Sequence, residues 1–108
     1  MGIEFLAIQE QKEKILFPGF HARLVHGQQL SVAYVDIAQG SQLPEHHHVH
    51  EQITNILEGE LEMTIGGETR ICTPGTVVVI PSNVPHSARA LTDCKAIDVF
   101  SPVREDYR

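Results

Sequence analysis

The stretch GSQLPEHHHVHEQITNILEG, Gly40–Gly59, holds four of the chain's seven histidines within five positions, between two glycines. In an extended chain the side-chain period is two, so residues 46, 48, 50 and 52 share a face. His46 and His48 therefore point together, and Gln52 joins them either in register or after a bend. His86 lies in a second turn-rich segment, VPHS, directly after the apolar run TVVVI. Three neutral imidazoles and one oxygen donor form a set that suits a divalent transition metal. His-x-His alone also fits a polar loop with surplus histidine. His47 is expected to face away from the ligand side, and His50 shares the parity of the ligands without a defined role.

Working outward, strand signals dominate and no window shows helical periodicity. Leu30–Ile37 is rich in β-branched and aromatic residues. Leu61, Met63 and Ile65 alternate with Glu60, Glu62 and Thr64, as in a strand with one buried and one wet face. Gly66-Gly67 then turns the chain into a return strand over Glu68–Thr73. Thr76–Ile80 reads as a fully buried strand and Lys95–Phe100 as another. Ile3–Ile8 reads as a first short strand, followed by a polar run over Gln9–Lys14. Short strands at regular spacing, punctuated by Pro and Gly, give an all-β sandwich or small barrel.

The chain's 108 residues make one domain, residues 1–108, large enough for a core without disulfides. Cys72 and Cys94 are expected to be free buried thiols. A net charge of −6 and the lack of any Lys/Arg-rich run argue against nucleic-acid and anionic-membrane partners. The longest apolar run, Val77–Ile80, is far too short to span a bilayer. Met1–Gln11 lacks the pattern of a secretory signal, so a cytoplasmic location is expected. A short terminal strand often pairs with a neighbouring subunit, which makes a homodimer the expected assembly.

The spacing of the histidine stretch resembles the cupin family. The family's first motif is Gly, five residues, His-x-His, three or four residues, Glu, six residues, Gly. Gly40, His46, His48, Gln52 and Gly59 fall on it, with Gln in place of Glu. The second motif is Gly, five residues, Pro-x-Gly, two residues, His, three residues, Asn. Gly75, Pro81 and His86 match over about 75–90, with Asn83 in place of Gly and Ala90 in place of Asn. Asn tolerates left-handed backbone, so Asn83 is a mild departure. The resemblance implies a cupin double-stranded β-helix, or jelly-roll barrel. It also implies a metal (Ni, Zn, Mn, Fe or Co) held by His46, His48, Gln52 and His86. With Gln as a neutral donor, such a metal keeps its full charge, which favours Lewis-acid chemistry and anionic substrates.

Near the C-terminus, Ala96, Asp98 and Phe100 share one strand face. An Asp within a buried strand is costly unless paired or functional. Asp98 is thus an acid/base carboxylate, or else it lies on the surface or pairs with an Arg. Arg104 either folds back to grip a substrate carboxylate or is a solvated tail charge. The ending DVFSPVREDY, with HHHVHEQ, LEGE, TIGGE and IPSNVPH, resembles the small KdgF-type cupins of pectin and alginate breakdown. Those proteins convert cyclic 4,5-unsaturated uronates to linear keto form, using three His and one Gln on the metal. The resemblance implies Asp98 and Arg104 as catalytic residues, Phe100 and Arg104 as substrate contacts, and a small anionic sugar as substrate. Two other functions remain open. One is a metal-dependent dioxygenase or isomerase of another small acid. The other is a non-catalytic metal- or sugar-binding cupin.

Overall fold

Ten antiparallel strands form two sheets that face each other across one core. In chain order they are β1 (Glu13–Phe17), β2 (Phe20–His26), β3 (Ser31–Ile37), β4 (Gln42–His46) and β5 (Glu51–Glu58). They continue as β6 (Leu61–Ile65), β7 (Glu68–Cys72), β8 (Val77–Ile80), β9 (His86–Ala90) and β10 (Cys94–Ser101). The six-stranded sheet has the order β1-β2-β3-β10-β5-β8, and the four-stranded sheet β4-β9-β6-β7. From β3 onward the chain crosses repeatedly between the two sheets, which makes this a jelly roll, the architecture that the sequence implies. The structure, a computed structural model, describes residues 2–108. Met1, which opens the stretch read for a targeting signal, lies outside them. Among the described residues no helix is long and apolar enough to cross a membrane.

Alternation sets the core. In β2 the inward Phe20, Ala22 and Leu24 are buried, and in β3 so are Ala33, Val35 and Ile37. Leu61 and Met63 of β6 face them from the other sheet, with Ile65 packed at the margin. Ala96 and Phe100 of β10 are buried on the face that also carries Asp98. Cys72 and Cys94 are buried free thiols. The Gly66-Gly67 turn joins β6 to β7 with both glycines at positive φ, 55° and 86°, and Ile65 paired to Glu68. That is the two-residue hairpin geometry in which strand twist and turn twist agree.

Two expectations fail. Ile3–Ile8 forms no strand. The chain enters through a short 3-10 helix, Ile8–Glu10, and the polar run supplies the start of β1 instead. Ile3 and Phe5 stand 90% and 95% exposed, so among the described residues no strand pairs with this segment. Thr76–Ile80 is not fully buried: Val77 and Val79 are 57% and 56% exposed, while Ile80 is wholly covered. The reason is position. β8 is the edge of the six-stranded sheet, so alternate residues of an apolar run face outward even though all are β-branched.

Candidate metal and substrate site

Each motif residue sits on an element end that aims it inward. His46 ends β4 and His86 begins β9, and the two are paired across that antiparallel ladder. Between β4 and β5 the chain bends, so His48 projects from the bend and Gln52 from β5. The bend is clamped by the turn before β9. Asn83 N–H donates to the His48 carbonyl at 2.8 Å, and Ser82 Oγ donates to the Val49 carbonyl at 2.6 Å. Asn83 has φ 63°, so the position where the motif asks for Gly does adopt the left-handed backbone that Asn tolerates. Gly59, which closes the first motif, has φ 85°, and a Cβ there would lie 2.1 Å from the Asp93 carbonyl oxygen.

The three imidazoles are oriented by one device. The Nδ1 atoms of His46, His48 and His86 each lie 2.9 Å from a backbone carbonyl, of Pro44, His50 and Val84 respectively. A carbonyl only accepts, so each Nδ1 carries the proton and each Nε2 keeps a lone pair. Donor atoms of the three rings lie within 4.8 Å of one another. Burial pushes His86 down to about 4 and also lowers His48, with Arg104 adding to the effect on His48. Those two rings are therefore neutral near neutral pH, as metal ligation requires.

Gln52 completes the set. Its Nε2 donates to Thr54 Oγ1 at 2.9 Å, which turns Oε1 towards His48 Nε2 at 3.1 Å. With the tautomer fixed as above, those facing atoms are both acceptors. The His86 Nε2 is buried and has no hydrogen-bond partner among the described residues. An orphaned buried acceptor and two lone pairs face to face are what a cation resolves. Three imidazole nitrogens and an amide oxygen thus fit a divalent transition metal, which His46, His48, His86 and Gln52 could hold.

Beside this cluster lies a cavity of about 130 Å³, lined by these residues and by Thr54, Asp98, Phe100, Arg104 and Tyr107, with Leu61 and Met63 at the apolar end. That volume is on the scale of one six-membered ring, since a cavity of about 150 Å³ holds a benzene. Asp98 accepts a hydrogen bond from Thr54 Oγ1 at 2.7 Å, and burial raises its carboxyl to about 6. Among the described residues it has no ion pair to an Arg, and it lies on the inward strand face with Ala96 and Phe100. Arg104 is 6% exposed, not a solvated tail charge. Its backbone N–H donates to Ser31 Oγ at 2.9 Å, which ties the tail to β3. Its guanidinium lies 4.8 Å from the Phe100 ring centre and 3.9 Å from that of Tyr107. Phe100 also meets His48 edge-on, with ring centres 5.9 Å apart. His47 is exposed, as expected. His50 stands edge-on behind His48 at 5.5 Å, outside the cavity lining.

Thr54, Asp106 and Tyr107 were not singled out from sequence. Thr54 had a signal, because it follows Gln52 at strand period. Asp106 and Tyr107 had none, since they reach the site through a 3-10 turn, Glu105–Tyr107.

Comparison with known proteins agrees with this fold. Residues 33–100 match the family model for the cupin domain. The pectin degradation protein KdgF of Dickeya dadantii (strain 3937) is 34% identical over 80 residues, covering 72% of this chain and 73% of that protein. The solved structure of KdgF from Halomonas sp. superposes with a TM-score of 0.91 at 31% identity, covering 99% of this chain and all of that one. The H2HPP isomerase of Bacillus subtilis is 42% identical over 55 residues, 50% of this chain and 23% of that protein.

Proposed function

Since the chain belongs to the cupin domain family, and within it resembles KdgF along most of its length, we propose that it linearises cyclic 4,5-unsaturated uronate monosaccharides. The substrates are those that lyases leave from pectin or alginate. The observation that carries this reading is one cavity lined by His46, His48, His86 and Gln52 together with the carboxylate of Asp98 and the guanidinium of Arg104.

When bound, a divalent metal at His46, His48, His86 and Gln52 supplies Lewis acidity towards an oxygen of the sugar. The remaining work falls to side chains. Arg104 receives the uronate carboxylate. Its Nε and Nη2 are held by Asp106, which fixes the plane of the guanidinium. Asp98 takes the proton of the anomeric hydroxyl as the ring C1–O5 bond breaks and the C1 aldehyde forms. It then gives a proton to C4 as the enolate left at C5 becomes the ketone. Atoms and charge balance within one molecule, so this is an isomerisation and needs no redox partner. A carboxyl near 6 can act in both directions at neutral pH. Phe100 packs on the sugar and keeps water from the carboxylate.

The match to an isomerase favours one alternative, isomerisation of another small acid at the same site. A direct test mixes metal-loaded protein with freshly made unsaturated uronate and follows the ultraviolet absorbance of its conjugated double bond. Absorbance should fall faster than in buffer and faster than with chelator-stripped protein. A rate equal to the spontaneous one would overturn the proposal.

A further inference from the structure

Gln52 can present either end of its amide to the histidine cluster, and only the oxygen end ligates a metal. The hydrogen-bond pattern decides between them. Thr54 Oγ1 has a single proton, which it gives to Asp98 Oδ1 at 2.7 Å. Its lone pairs then accept from Gln52 Nε2 at 2.9 Å. A carboxylate at the end of the chain thus sets the polarity of both links. It makes Thr54 an acceptor towards Gln52, and it sends Oε1 to the histidines.

Backbone register makes this arrangement rigid. Thr54 follows Gln52 on the same face of β5 and is paired directly with Asp98 of β10. It is 2% exposed, so its hydroxyl is shielded from bulk solvent. A β-branched residue in a strand has few χ1 choices, which fixes where Oγ1 points. Packing alone would be met as well by Val. A hydroxyl in that place is favourable only because both its partners are satisfied.

We propose that Thr54 is a positioning residue, whose hydroxyl orients the Gln52 amide so that its oxygen faces the metal site and ties that ligand to Asp98. This rests on the metal reading of the site given above. The consequence falls on metal affinity in the absence of any substrate.

The test titrates chelator-stripped full-length protein with Ni(II) or Co(II) against a chromophoric competitor. Thr54→Val and Thr54→Ala should each bind about 10–100-fold more weakly than wild type, as loss of a partner that orients a ligand commonly gives. Thr54→Ser, which keeps the hydroxyl, should bind close to wild type. Wild-type affinity in a folded Thr54→Val or Thr54→Ala protein would overturn the role of Thr54 alone. Wild-type protein that binds neither ion would overturn the metal reading, and this inference with it. Nuclear Overhauser contacts in the wild type give a check that needs no variant. The Gln52 side-chain amide protons should lie against Thr54, and contacts to His48 instead would contradict the assignment.

Discussion

The guanidinium of Arg104 holds both carboxylate oxygens of Asp106, Nε to Oδ1 at 3.0 Å and Nη2 to Oδ2 at 2.8 Å. The pair is lopsided: the Arg104 side chain is 7% exposed and that of Asp106 56%. Asp106 therefore keeps the Arg104 plane in position and at the same time offsets its charge. Asp106→Asn retains an acceptor for Nε and removes the negative charge. The Michaelis constant for a uronate should fall roughly threefold, the effect of a partly exposed opposing charge, with kcat changed less. A rise in the Michaelis constant would mean that Asp106 acts mainly by positioning. Steady-state kinetics over substrate concentration separates the two outcomes.

Asp98→Asn should leave metal content intact and lower turnover by roughly 100- to 10,000-fold, the usual worth of a positioned acid/base group. The same substitution should stabilise the metal-free protein at neutral pH. Burial raises the folded carboxyl from 3.8 to about 6. The folded state thus binds the proton more tightly than the unfolded one. Its contribution to stability is full below about 4 and is lost as pH rises through about 6. At pH 8 the gain in Asp98→Asn should approach about 3 kcal/mol, and below pH 4 it should vanish. Thermal melts at the two pH values check the sign, and an equal effect at both would refute the burial argument.

Gln52→Glu restores the carboxylate of the general cupin motif. The anionic ligand should tighten metal binding, because it adds charge attraction to the same geometry. It also removes the amide donor to Thr54 and places a second carboxylate near Asp98. Turnover should drop by roughly 10- to 100-fold despite the tighter metal. Metal titration and rate measurement on one preparation test whether affinity and activity part in this way.

Gly59→Ala should be among the most damaging small substitutions in the chain. The backbone there has φ 85°, and the new Cβ would meet the Asp93 carbonyl at 2.1 Å, a contact that backbone must move to relieve. A loss of roughly 3 kcal/mol or more is expected from strain and clash together. Gly67→Ala provides the contrast. Its φ is similar, at 86°, but nothing lies within 4 Å of the added Cβ. Denaturant melts of the two variants should differ by the cost of the clash.

The β-branched and aromatic content of β3, the alternation of β6, the hairpin at Gly66-Gly67 and the spacing of His46, His48 and His86 were all legible in sequence. Each is set by local period or by residues with special backbone freedom. The edge position of β8 was not legible, because an apolar β-branched run looks the same in the middle and at the margin of a sheet. Nor was the open course of Ile3–Ile8, whose strand-like composition finds no partner strand among the described residues. Within the site, Gln52 stood out by its motif position, whereas Thr54 is indistinguishable from an ordinary strand threonine until β5 is paired with β10. Arg104 was visible as a charge in a polar tail. Its burial depends on the chain turning back so that its backbone reaches Ser31.

The most direct test of the proposed ring opening is nuclear magnetic resonance of the reaction in deuterated water, with the metal-loaded protein and freshly made unsaturated uronate. If Asp98 delivers the proton within the cavity, the linear keto product should form faster than spontaneously and carry deuterium at C4 on one face only at early times. Formation at the spontaneous rate, or with equal labelling of both faces, would contradict catalysis of that step by this site.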